Sequence, residues 1–268
     1  MKLGITTIQR DRAPWIKEWI ALHYLVGFRK FYFFAHSCRD DSVKIITNLK
    51  KHFDIRLITL DIDGPQRKCY QFSCENFLSE VDWMAFIDGD EYLFPTVDDS
   101  MTTALTPYAD KQISALGVYW KVFGSNGYIQ EPSGLLIENY RRRAPDNYSN
   151  NRHIKSIVRG RQGASVNIGG DAHLFKTHLG TVDENLRPIT SGWTNYEPTY
   201  DKFRINHYIC QSRSYFTNNR KKNLDVDDGT VKTEAWAKAW WKEHDRNDVL
   251  DNSMEKFIKP VKKMLDSI

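Results

Sequence analysis

At 268 residues, with 41% hydrophobic and 27% charged residues, the chain has the composition of an ordinary globular protein, long enough for one domain with a large core or for a core domain with an extension. Lys plus Arg (38) exceed Asp plus Glu (34) by four, which is too little to argue for a nucleic-acid partner and leaves only a mild affinity for phosphates or an anionic membrane surface. Cys38, Cys69, Cys74 and Cys210 lack paired metal spacing and read as reduced packing residues, and no apolar run is long enough to span a bilayer, so a cytoplasmic protein with peripheral membrane contact left open is expected.

The first third alternates strands and helices. Residues 3–8 read as a strand, and Pro14 opens an amphipathic helix through Trp15, Trp19, His23 and Val26 that stops at Gly27. The apolar run 31–35 is too short for a helix and reads as a buried strand. Ser42 can cap a helix with Val43, Ile46 and Leu49 inward, residues 55–60 supply a third strand, and a helix from about residue 66 to 78 leads into the apolar run Trp83-Met84-Ala85-Phe86-Ile87. This alternation predicts an α/β fold, a mainly parallel sheet covered by helices on both faces. Ligands bind beyond the carboxyl ends of such strands, where Thr6, Thr7, Asp40, Asp41, Asp61, Asp63, Asp88 and Asp90 fall.

Asp88-Gly89-Asp90-Glu91 ends the fourth strand. Carboxylates grouped beside a core strand need a cation or hydrogen-bond donors to offset their desolvation, and Mg²⁺ or Mn²⁺ bridging a diphosphate would supply one. An acidic β-turn is the plain alternative. No P-loop and no Gly-x-Gly-x-x-Gly occurs, which removes the main support for kinase and dehydrogenase readings. Arg67 and Gln71, one helical turn apart before the acidic strand, are candidates for the ribose or phosphates of a nucleotide, as are Thr6, Thr7 and Asp40, although Asp40 equally suits helix capping. Trp120 and Phe123, with Ser125 and Asn126 in a Gly-Ser-Asn-Gly loop, offer flat faces and polar neighbours for a sugar or acceptor. Arg141-Arg142-Arg143 suits either an anionic acceptor or a solvated face.

Several blocks together carry a family resemblance: Glu18-Trp19-Ile20 before His23, residues 83–95, residues 120–127, residues 153–159, and Ile205-Asn206-His207-Tyr208. In this order they resemble glycosyltransferase family 92 and its bacterial family-2-like relatives, over most of residues 1 to about 222. The resemblance implies a GT-A fold, a nucleotide-sugar donor, a divalent metal and inversion at the anomeric carbon. It matches the family's Asp-x-Asp to Asp88-Gly89-Asp90, with Glu91 as a third acid, and the final metal ligand to His207, with His173 and His178 as competitors. Inverting transfer needs a carboxylate base; Asp171 and Glu138 are the candidates, with Glu131 and Asp183 behind them, since the Glu-Asp pair of many relatives is absent.

From about residue 230 the composition changes. Residues 234–244 read as a tryptophan-rich helix and residues 254–265 as a lysine-bearing amphipathic one, expected either to rest on a membrane or to pack on the core or a second subunit. Domains are therefore expected at 1–229, catalytic, and 230–268, a helical extension. The expected function is a metal-dependent, inverting glycosyltransferase that moves a sugar from a UDP-sugar to a glycan or lipid-linked acceptor in surface polysaccharide synthesis. A metal-dependent nucleotidyltransferase and a non-catalytic glycan-binding protein are the alternatives.

Overall fold

The computed structural model describes residues 1–166, 172–223 and 229–268. Strands β1 (Leu3–Gln9), β2 (Lys30–His36), β3 (Asp54–Leu60) and β4 (Trp83–Phe86) pair in parallel, in the order β4-β1-β2-β3. Helices α1 (Ile16–Leu25), α2 (Ser42–Leu49) and α3 (Pro65–Asn76) make the crossovers. The chain then turns into β5 (Glu91–Pro95) and continues through α4 (Met101–Leu105), β6 (Ala115–Val122), α5 (Leu136–Asn139), the short β7 (Arg142–Arg143) and β8 (Ile154–Arg159). β8 lies antiparallel between β4 and β6. A ribbon of β9 (Ala164–Val166) and β10 (Phe175–Thr177) precedes β11 (Thr181–Val182) and β12 (Pro188–Ile189), which extend the β6 edge. β13 (Phe203–His207) runs parallel to β6 and antiparallel to β5. The result is a mixed, mostly parallel sheet flanked by helices, as the alternation predicts.

Period-two alternation divides the core. Leu3, Ile5, Phe31, Phe33 and Ile55 share one cluster with residues of α1 and α2, while Ile8, Tyr32, Phe34, Met84 and Phe86 share another with Cys69, Tyr70 and Cys74 of α3. All four cysteines are free thiols, and Cys69, Cys74 and Cys210 are buried packing residues.

Two local details differ from the sequence reading. β1 runs on to Gln9, so Thr6 and Thr7 are wholly buried inside the strand rather than at its end; Thr6 donates its hydroxyl to Met84 and Thr7 Oγ1 accepts from Gln9. Ser42 is the first residue of α2 rather than its cap: the N-cap is Asp41, whose side chain makes no cap bond, Asp40 accepts from the Ser42 N–H at 2.9 Å, and Ser42 Oγ accepts from Arg12 N.

The chain ends in α6 (Arg213–Tyr215), a π-helical turn over Phe216–Arg220, α7 (Glu234–His244), β14 (Val249–Leu250), which pairs with β7, and α8 (Glu255–Leu265). α8 packs against α1 and α5 around buried Val261. The α7 tryptophans turn onto the chain itself, with Trp240 and Trp241 at 5.1 and 5.0 Å from the Phe216 ring. Among the described residues no helix is long and apolar enough to cross a membrane.

Candidate active site

The acidic motif lies where the carboxyl ends of β1 and β4 meet the segment after β13. The turn is pinned from behind: the Arg12 guanidinium donates to Gly89 O at 2.8 Å, to Gln211 Oε1 at 2.8 Å and to Tyr215 OH at 3.1 Å, and Tyr208 N–H donates to Asp90 O at 2.9 Å. Gly89 lets the Gln9 side chain approach the turn closely: a Cβ there would meet the Gln9 side chain at 2.6 Å, so Gln9 would have to move aside.

The two aspartates have different surroundings. Asp88 Oδ1 accepts from Gln66 Nε2 at 2.7 Å and Tyr70 OH at 3.1 Å, and Oδ2 accepts from Lys155 Nζ at 2.8 Å. Lys155, carried by β8, is almost wholly buried and also lies 3.9 Å from Glu91 Oε1. Burial opposes ionisation of Asp88, but the Lys155 ammonium outweighs it and holds the carboxyl below its ordinary value. With three donors in place, Asp88 is an ordered anion with little room left for a cation. Glu91 is not a third acid of the cleft: its side chain is fully buried, Oε2 accepts from Asp88 N, and desolvation pushes its pKa well above the usual carboxylate value.

Asp90 faces the other way. Its Oδ2 accepts from Arg220 Nη1 at 3.0 Å, and its Oδ1 lies 3.6 Å from His207 Nε2. Burial is offset by His207, Arg220 and Arg12, which together hold Asp90 far below the usual range. Burial lowers the pKa of His207, favouring the neutral imidazole that ligates metals, and its Nδ1 has no hydrogen-bond partner among the described residues. An ionised carboxylate and a neutral imidazole converging at this spacing fit a divalent cation. A second metal-capable group, Asp11, Cys38 and Asp40, has ligand atoms within 4.8 Å of one another, but Asp11 pairs with Arg39 at 2.8 Å and Asp40 accepts from Ala13 and Ser42 backbone N–H groups.

Beside Asp90 opens a cleft of about 160 Å³ lined by Gln9, Arg10, His36, Arg220 and Lys232 together with Asp88. Arg10 Nε is buried with no hydrogen-bond partner among the described residues.

The remaining sequence candidates fall elsewhere. Arg67 and Gln71 do not line this cleft, and Gln71 bonds Glu75; their neighbours Gln66 and Tyr70 on α3 reach Asp88. Asp40 is taken up by the Ala13 and Ser42 backbone N–H groups and lies in a neighbouring depression with Asp11 and Arg39. Trp120, 8% exposed, stacks on His153 at 4.8 Å and meets the edges of His173 and His207 at 5.2 and 4.3 Å, so it buttresses His207 rather than presenting a face to a sugar. Phe123 is core, packed on Tyr208 at 4.8 Å. Ser125 N and Asn126 N donate to Asp245 and Asn247, so the Gly-Ser-Asn-Gly loop holds the C-terminal segment. Arg141, Arg142 and Arg143 do the same through Asn252, Asn247 and Asp251. Glu138 on α5 pairs with Lys262 of α8 at 2.7 Å, Glu131 accepts from Tyr140, and buried Asp183 organises a turn with Arg187. His173 bonds Ile154 O, and His178 is exposed. Asp171 lies outside the described residues.

The sequence reading passed over Gln9, Arg10, Arg12, Lys155, Tyr215 and Arg220. For the first three a signal existed, the polar run Gln9-Arg10-Asp11-Arg12 directly after an apolar strand; the others arrive from distant segments.

A curated glycosyltransferase family 92 protein of Oryza sativa subsp. japonica is 23% identical over 159 residues, 58% of this chain and 26% of that protein, so the chain's match spans about a quarter of that relative's length. Among solved structures, S. aureus TarS residues 1–349 in complex with UDP-GlcNAc is 14% identical with a TM-score of 0.38, covering 50% of this chain and 38% of that one. A cytidylyltransferase from Leptospira borgpetersenii is also 14% identical, with a TM-score of 0.32 over 44% of this chain and 54% of that one. The glycosyltransferase family 92 model matches residues 4–238, nearly the whole sequence, and the chain belongs to that family.

Proposed function

We propose that the chain is a metal-dependent, inverting glycosyltransferase of GT-A type that takes a sugar from a nucleoside diphosphate sugar, with UDP as the nucleotide, and delivers it to a glycan or lipid-linked acceptor of a surface polysaccharide. The observation that carries this reading is the pairing of Asp90 Oδ1 with His207 Nε2, 3.6 Å apart, beside a cleft lined by Arg10, Arg220 and Lys232. Anionic and neutral donors for a cation thus sit next to cations for a diphosphate.

Each residue has a task in this reading. Asp90 and His207 would hold Mn²⁺ or Mg²⁺, which when bound would supply positive charge to neutralise a departing diphosphate. Arg10 and Lys232, which also line the cleft, would meet the phosphates. Asp88, ordered by Gln66, Tyr70 and Lys155, keeps one of its roughly four lone-pair sites for a ribose hydroxyl. Trp120 and Arg12 keep His207 and the motif turn in position, so little reorganisation accompanies charge development. Asp171 is the proposed base that takes the acceptor proton.

Melting temperature should rise with one of UDP, GDP or CMP, and more so with Mn²⁺, because a ligand that binds only the native state stabilises it. Asp90→Asn and His207→Ala should each abolish Mn²⁺-dependent release of nucleoside diphosphate from a nucleotide sugar and leave the metal-free melting temperature within a few degrees of wild type. Full turnover in either variant removes the site assignment. Release of pyrophosphate would select the nucleotidyltransferase alternative, which family membership disfavours. Glycan binding with no turnover in wild type would select the binding-protein alternative.

A further inference from the structure

Arg220 occupies a position that the proposed cation site makes awkward. Its Nη1 lies 3.0 Å from Asp90 Oδ2 while His207 Nε2 approaches Oδ1 of the same carboxylate, so the two oxygens are divided between a guanidinium and an imidazole. Adding a divalent charge on Oδ1 places like charges on either side of one carboxylate, and in a site this buried the repulsion is weakly screened. Arg220 therefore opposes the cation unless it gains another anion.

The surroundings supply a place for that anion. Arg220 projects from the π-helical turn over Phe216–Arg220 with its guanidinium 4.8 Å from the Trp240 ring, and Lys232 donates to the Arg220 carbonyl at 3.4 Å. Its side chain borders the cleft that Arg10, just after β1, also lines, and the buried Arg10 Nε has no partner among the described residues. The cleft is lined by Arg10, Arg12, Arg220 and Lys232 against the two carboxylates Asp88 and Asp90, an excess of donors that suits the non-bridging oxygens of a diphosphate.

We propose that Arg220 is an exchangeable counter-ion: it neutralises Asp90 when no divalent cation is bound, and it passes to the diphosphate of the donor when a cation takes the carboxylate. This rests on the reading of the cleft as a nucleoside diphosphate site. Its consequence is that cation and diphosphate binding are coupled through one side chain. Linkage makes the coupling reciprocal, so each ligand strengthens the other by the same factor.

The test uses Arg220→Met, which keeps the stem and removes the charge, with Arg220→Lys as a milder variant should the first not fold. Mn²⁺ affinity without nucleotide is read from the free-ion electron paramagnetic resonance signal, and UDP affinity at saturating Mn²⁺ from calorimetry. Arg220→Met should bind Mn²⁺ about tenfold more tightly than wild type and UDP about tenfold more weakly, and Arg220→Lys should move both in the same directions by less. A side chain with a purely structural role would weaken both or change neither, and either result overturns the inference. If wild type binds Mn²⁺ and UDP together but the variants do not shift in opposite directions, only this inference falls; if wild type binds neither, the proposed function falls with it.

Discussion

Lys155 Nζ lies 2.8 Å from Asp88 and 3.9 Å from Glu91, so removing it strands the half-buried Asp88 carboxylate beside the fully buried Glu91. Breaking a buried ion pair from one side costs more than the pair is worth, because the remaining charge keeps its desolvation penalty. Lys155→Met should therefore lower unfolding stability by about 3–5 kcal/mol in urea titrations. Asp88→Asn should destabilise by a similar amount, since it leaves the still more buried Lys155 ammonium with only Glu91, 3.9 Å away. The double variant should lose clearly less than the sum of the two; additive losses would mean that the pair does not act as a unit. At this scale the sequence was half legible. Asp88 and Asp90 stand out because acidic residues rarely follow an apolar run without cause. Their unequal roles are invisible, because Lys155 and Arg220 are 67 and 130 residues away in sequence.

The elements show how a small displacement changes a side chain's task. Helix α3 is where the alternation places it, yet Gln66 and Tyr70 meet Asp88 while Arg67 and Gln71 do not; one residue along a helix is a rotation of about 100°. β1 repeats the lesson at period two: its end at Gln9 puts Gln9 and Arg10 at the cleft and keeps Thr6 and Thr7 inside. The Gly-Ser-Asn-Gly loop owes its glycine to the C-terminal segment, since a Cβ on Gly124 would lie 2.5 Å from Arg246 O. Gly124→Ala should thus cost about 1–3 kcal/mol. It should also speed amide hydrogen exchange selectively around residues 245–255, while a uniform change across the chain would show that the loop does not act as this clasp.

Glu18 and His23, both buried, give the folded molecule opposite pH dependences. Glu18 on α1 accepts from Leu136 N at 2.7 Å and Ile137 N at 3.0 Å, tying α5 to the body, and burial raises its pKa to about 7. Between the ordinary glutamate value of 4.5 and about 7 the folded state holds the proton more tightly than the unfolded chain. The Glu18 contribution is thus fully present at low pH and lost as pH rises through that window. His23 behaves oppositely: its Nδ1–H donates to Trp19 O, its Nε2 accepts from Leu93 N, and burial depresses its pKa to about 3. Stability from His23 is present above 6.5 and lost as pH falls toward 3. Urea unfolding of wild type and Glu18→Gln across pH 5 to 7 should show the wild-type advantage shrinking as pH rises; a constant difference would place the Glu18 proton elsewhere.

The sequence by itself determined the α/β alternation, the position of the acidic motif at a strand end and the family, because these rest on local periodicity and on residues adjacent in the chain. It also singled out His207 through its family block. Only the tertiary structure decided that Asp88 is neutralised by Lys155, that Asp90 is shared between His207 and Arg220, that Trp120 supports an imidazole, and that the arginine run and the glycine loop hold the C-terminal segment. The physical reason is the same in each case. A charge acquires its role from the groups within a few ångströms of it, and in a sheet with crossover connections those groups come from segments far apart in the chain.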